Sequence, residues 1–155
     1  MKTANKLLLW FVSLFLCGIV VYSYQIVGFY WMIVVLNGEL SRIWVAVLVA
    51  GLRFVIQSAL LLGILRLILK ALPSLEVYLK STTPLVVAGM TGSILRLFYN
   101  DWVPFRIIVE QIALMFGLIL AMLLLGRGLS AGKKSYLSCA LAGLLVFLIL
   151  VPIPL

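Results

Sequence analysis

The chain has no histidine, only two cysteines and only four carboxylates in 155 residues. The thiols are Cys17 and Cys139; the carboxylates are Glu39, Glu76, Asp101 and Glu110. Each shortage excludes chemistry. Metal centres and catalytic triads take their ligands and bases from histidine, cysteine and carboxylate. A Cys–His nucleophile pair is ruled out, and neither a metal nor a cofactor is expected. Charge is scarce altogether. Only 10% of residues carry it, where soluble domains run near about a quarter.

Hydrocarbon takes the place of charge. Hydrophobic residues make up 66% of the chain, and the mean hydropathy is +1.31. Too little polar surface remains to face water all round. The composition predicts an all-α integral membrane protein, and the length allows one transmembrane domain over 1–155. The opening "MKTANKLLLWFVSLFLCGIVVYSY" has the charged start and apolar run of a signal peptide, without an A-x-A-like cleavage site. "LFLC" has Leu16 where a lipoprotein cleavage box needs a small residue. An uncleaved first helix is expected.

A spanning helix needs about 20 apolar residues. Five such stretches stand out: Leu7 to Tyr24, Ile43 to Leu65, Thr83 to Phe98, Ile107 to Leu125 and Tyr136 to Ile153. Residues 25–37, "QIVGFYWMIVVLN", are too short to span alone, and Phe29, Tyr30 and Trp31 favour the headgroup level. They are expected as an interfacial or re-entrant segment, or as an extension of the first helix. A sixth crossing is the alternative. Charge distribution argues for five. With the N-terminus cytoplasmic, the inner loops hold Lys2, Lys6, Arg66, Lys70, Lys80, Arg127, Lys133 and Lys134 against Glu76 alone. That is the positive-inside pattern, and it puts the C-terminus outside. Six crossings would break it.

The inner segment 66–82 reads as a cytoplasmic amphipathic loop. Pro73 should end the preceding helix near Leu72. Leu72, Leu75 and Leu79 then recur at near-helical spacing, with Glu76 and Lys80 as an i, i+4 pair. A short helix lying on the inner surface is expected, or a docking element for a cytosolic partner.

Lipid tails are as apolar as leucine, so helices in a bilayer associate through close packing of small residues. Small residues four apart occur at Ala46 and Ala50, Ala88 and Gly92, Gly89 and Ser93, Ser138 and Ala142, and Cys139 and Gly143. These faces predict packing, with the partner helix in this chain or another. The two cysteines differ in depth by roughly 10 Å, beyond disulfide reach, and read as small buried hydrophobes.

Arg53 is the oddity of the second span. It lies roughly 15 Å deep at helical rise, where an arginine costs on the order of 2.5–3.5 kcal/mol. Its side chain should lean outward, on a face shared with Gln57. Glu110 is the carboxylate inside a span, roughly 5 Å deep, and Arg96 is a second cation near the same end. Glu110 could pair with Arg53, or with Arg106 at i, i+4 spacing. Alternatively, Arg53, Gln57, Arg96 and Glu110 line an outer-leaflet pocket for a carboxylate, phosphate or lipid headgroup.

Two functions follow as expectations. The first is a non-catalytic accessory or assembly subunit of a larger membrane complex, multi-pass in a bacterial cytoplasmic membrane. Its partners would be other membrane subunits or copies of itself, with anionic lipid at the basic inner face and no nucleic acid. The second is a small transporter, or a substrate-binding membrane component, that handles an anion or lipid through the Arg/Glu pocket. An enzyme ranks third, since only Glu110 and Asp101 offer acid–base groups.

Overall fold

In a dry environment every backbone N–H and C=O must be paired within the chain, which favours helices. The computed structural model describes residues 2–36, 38–70, 72–98, 103–129, 141–143 and 145. Among these residues the chain is all-helical, without strands. Its helices are α1 (Lys2–Val21), α2 (Ser23–Val35), α3 (Ile43–Leu69), α4 (Leu75–Phe98) and α5 (Val103–Gly128), with one 3-10 turn at Leu40–Arg42. Among the described residues, three stretches are long and apolar enough to cross a membrane: Ala4–Val21, Leu40–Leu67 and Phe105–Gly128. Most of the span expected at Tyr136 to Ile153, with Ser138 and Cys139, lies outside the described residues.

Residues 25–37 were expected as an interfacial or re-entrant segment or an extension of the first helix, with a sixth crossing as the alternative. Residues 25–35 belong to α2, which follows α1 after a single non-helical residue, Tyr22, at φ −99° and ψ 15°. The chain keeps its direction through that break. Trp10 packs on Tyr78, Cys17 meets Thr82, Ser23 meets Ser93 and Tyr24 lies on Gly92. The partners rise from Tyr78 to Gly92 and Ser93 as the chain runs from Trp10 to Tyr24, so α1 and α2 run parallel to α4 in succession. The Ser23 hydroxyl donates to the Val20 carbonyl at 2.7 Å. Bonds of this kind re-satisfy backbone groups where a helix bends.

The segment 66–82 differs from its expectation. α3 ends at Leu69, where Lys70 turns left-handed at φ 52° and donates its N–H to the Arg66 carbonyl. Ser74 then starts the next helix, its hydroxyl accepting the Val77 N–H at 3.3 Å, an N-cap bond. Residues 75–82 are not a separate surface helix. They are the first turns of α4, which runs on through Pro84. The reason lies in the side chains. Tyr78, Ser81 and Thr82 are buried. The Ser81 and Thr82 hydroxyls bond back to the carbonyls of Tyr78 and Leu79. The expected Glu76–Lys80 pair forms at 2.7 Å on the exposed side, where such contacts add little.

α5 packs antiparallel on α4: Gly117 lies on Pro84 and Ala88, and Gly128 on Val77. α3 packs on α1, where Gly18 meets Ala50 and Phe54. The small residues are therefore used within the chain. Ala46, Ala50, Ala88, Gly89, Gly92, Ala142 and Gly143 are buried and Ser93 partly so. Large apolar side chains such as Leu8, Leu48, Ile56 and Phe116 face outward instead. Gly63 is the exception among the α3 glycines, with open space where a Cβ would sit. Gly63→Ala is expected to keep or raise the thermal stability, by up to about 1 kcal/mol. A drop in melting temperature would mean that a neighbour occupies that space.

Candidate functional site

Four charged residues, Arg53, Arg96, Arg106 and Glu110, gather where α2 packs on α3 and α4, and α4 on α5. Arg96, in the last turn of α4, faces Glu110 across the α4–α5 interface. Its Nε and Nη2 donate to Oε1 and Oε2 at 2.8 Å each. This is a bidentate fork, the strongest geometry open to the pair. Arg106, one turn before Glu110 on α5, brings its Nε to 3.6 Å from Oε1. The Glu110 side chain is 2% exposed, Arg96 19% and Arg106 12%. Of the two pairings foreseen for Glu110, the i, i+4 contact to Arg106 exists. Arg96 holds the position expected of Arg53.

Arg53 turns to the α1–α2 break instead. Its guanidinium lies over the Tyr22 ring, 4.9 Å from the centroid, and its Nη1 donates to Gln25 Oε1 at 3.4 Å. Gln57 shares that face: its Oε1 accepts the Tyr22 hydroxyl. Arg96 lies over Tyr24 in the same manner, 5.0 Å from the centroid. The two tyrosine rings are 6.3 Å apart, and Gln25 Nε2 donates to the Tyr24 hydroxyl at 3.3 Å. The four sequence candidates thus belong to one polar seam, in two halves. Arg53 and Gln57 form one around Tyr22; Arg96 and Glu110 form the other around Tyr24. A guanidinium desolvated over an aromatic face gains about 2 kcal/mol or more, and a phenol tolerates apolar neighbours better than a second charge would.

Close backbone approach makes room for the seam. A side chain at Gly28 would run into Arg96 Nη1. At Gly92, a Cβ would stand 3.1 Å from Tyr24 Cβ and 3.6 Å from Glu110 Cγ. Glycine at both positions lets α2 press the Tyr24 side onto α4 beneath the ion pair.

Sequence reasoning missed Tyr22, Tyr24 and Gln25. The signal was the run "YSYQ" at 22–25, four polar-tipped residues in succession at the end of an apolar helix. It read as the end of a span because the span-length rule stops there.

Comparison with known protein families, with characterised proteins and with solved structures returns no match. Function therefore rests on the geometry of the seam. Among the described residues, no three histidine, cysteine, aspartate or glutamate side chains gather to hold a metal ion. Chemically, the seam offers guanidinium groups, two phenols and two amides, with a carboxylate already held by two arginines. That arrangement ties α4 to α5 through the fork, α2 to α4 through Tyr24, and the α1–α2 break to α3 through Tyr22.

Arg53→Leu tests the first half alone. Tyr22 would keep its bond to Gln57, and the Arg96–Glu110 fork would stand. The expected loss is about 0.5–2 kcal/mol, read as a modest fall in melting temperature in detergent. Complete failure to fold would show that Arg53 anchors more than Tyr22 and Gln25.

Proposed function

We propose that the chain is a non-catalytic accessory or assembly subunit of a larger membrane complex. In this reading it crosses a bacterial cytoplasmic membrane five times, with the N-terminus inside and the C-terminus outside, as the positive-inside pattern of its loops favours. The fifth crossing is the stretch from Tyr136 to Ile153.

One observation carries the reading. Both oxygens of Glu110 are taken by Arg96 on the next helix. The acid that a membrane enzyme or a proton carrier would need is spent on holding α4 to α5. What the bundle offers its surroundings is apolar: Leu8, Leu48, Ile56, Phe116 and Leu120 all face outward. These faces suit lipid and the spans of other subunits. Anionic lipid suits the basic inner loops.

A second reading has its own support. Arg53, Arg96 and Arg106 gather around two tyrosines and Glu110, a combination that also suits a carboxylate, a phosphate or a lipid headgroup. The protein would then be a transporter or a substrate-binding membrane component.

Extraction with native lipid in polymer nanodiscs, followed by native mass spectrometry, separates the two. The accessory reading expects other membrane proteins in fixed stoichiometry. A solitary chain carrying one anion or lipid, released by Arg96→Leu, supports the second. A solitary chain with nothing bound overturns both.

A further inference from the structure

Behind the seam, between α1, α3, α4, α5 and Gly143, lies a partly open cavity of about 40 Å³. Leu85, Leu118 and Met122 supply apolar wall; Tyr22, Gln57, Ser58, Tyr78 and Thr82 supply the polar part. Gln57 is 8% exposed and Ser58 1%. Gln57 Oε1 is occupied by the Tyr22 hydroxyl. Its Nε2 is buried without a hydrogen-bond partner among the described residues, and the Ser58 hydroxyl lies beside the Tyr78 phenol. The Thr82 hydroxyl donates to the Leu79 carbonyl at 2.8 Å, which leaves its oxygen able to accept.

Two features decide what such a space takes. A buried amide nitrogen brings two N–H donors that hydrocarbon cannot satisfy. A water molecule needs roughly 10–15 Å³ of this kind of space and two to four polar partners, whereas cavities lined by hydrocarbon alone stay dry. Gln57, Ser58, Tyr78 and Thr82 surround enough room for about two or three waters. Among the described residues no charged side chain lines the space, which suits a neutral molecule better than an ion.

We propose that this cavity is an internal hydration site. Water accepts from Gln57 Nε2, bonds Ser58 Oγ, and reaches the hydroxyls of Tyr78 and Thr82. It extends the polar seam from Arg53 and Tyr22 to the Thr82–Cys17 contact, 3.6 Å long, between α4 and α1. The bundle then carries one connected hydrogen-bonded column through otherwise apolar packing. This holds whichever function the protein performs.

Water-edited solid-state NMR on the full chain in phosphatidylcholine–phosphatidylglycerol bilayers tests it. The Gln57 side-chain amide is expected to receive magnetisation from water, with the exposed Lys80 ammonium as the positive control. Ser58→Leu fills the space and is expected to abolish the Gln57 signal, with the Arg96 Nε resonance unshifted as the reporter of fold. If that resonance moves, Ser58→Ala replaces it: the space stays, and the Gln57 water signal is expected to persist. Overturning results are a Gln57 amide silent to water while Lys80 responds, transfer to Gln57 from lipid acyl chains in place of water, or loss of the signal in Ser58→Ala.

Discussion

Glu110→Gln is expected to unfold the bundle at markedly lower denaturant or temperature than the parent chain, by about 3–5 kcal/mol. The substitution keeps the shape and removes the charge. Arg96 then loses both of its bonds to the carboxylate while it stays largely desolvated. The cost is that of a partly buried cation deprived of its counter-charge, which exceeds the worth of the pair itself. Removing both members makes the distinction. Arg96→Met with Glu110→Met takes out the fork, puts apolar volume in its place, and should recover most of the stability. Buried ion pairs replaced whole are often neutral. Unfolding of single and double variants in a mild detergent gives the cycle. A Glu110→Gln protein as stable as the parent would show that the fork is not what binds α4 to α5.

Gly89→Leu is expected to do as much harm from a different cause. A Cβ at 89 would run into the carbonyls of Val21 and Val20, which are backbone and cannot swing aside. Even Gly89→Ala should cost about 1–3 kcal/mol, the usual range for overpacking, and leucine more. The α1–α2 break would be pushed off α4, and Ser23 would lose its contact with Ser93. Gly63→Leu is the matched control, since position 63 has open space. Size-exclusion profiles and melting temperatures of the two leucine variants should diverge. Equal behaviour would mean that the close approach of α1–α2 to α4 does not hold the bundle.

Much of this was legible in the residues. Hydrocarbon runs located α1, α3 and α5. Depth arithmetic picked out Arg53, Gln57, Arg96 and Glu110, and all four lie in the seam. The partner of Glu110 was not legible. Depth gives position along the membrane normal but not which helices are neighbours, and a deep arginine that leans outward can reach the level of one near the helix end. Arg96 wins because only residues 99–102 separate α4 from α5 in the chain and the two helices lie side by side, while Arg53 faces the α1–α2 break. The start of α4 was hidden by its composition. "KSTTP" reads as a loop, yet its hydroxyls satisfy themselves on their own helix. Apolar faces of membrane helices also point outward, so the amphipathic pattern that marks a soluble core gives little guidance.

The non-helical residue at 22 has a geometric consequence. Residues two apart on an uninterrupted helix point about 200° away from each other. Tyr22 and Tyr24 are both buried nonetheless, and each carries an arginine on its ring. A helix running true from Lys2 to Val35 would have to choose one cation and turn the other tyrosine to the lipid. Resetting the helical phase at a single position lets one stretch of chain serve two cations on two different helices. The reading frame of the helix, more than any one side chain in it, then sets where both cations rest. Deleting one residue beside the break would move every contact after it at once.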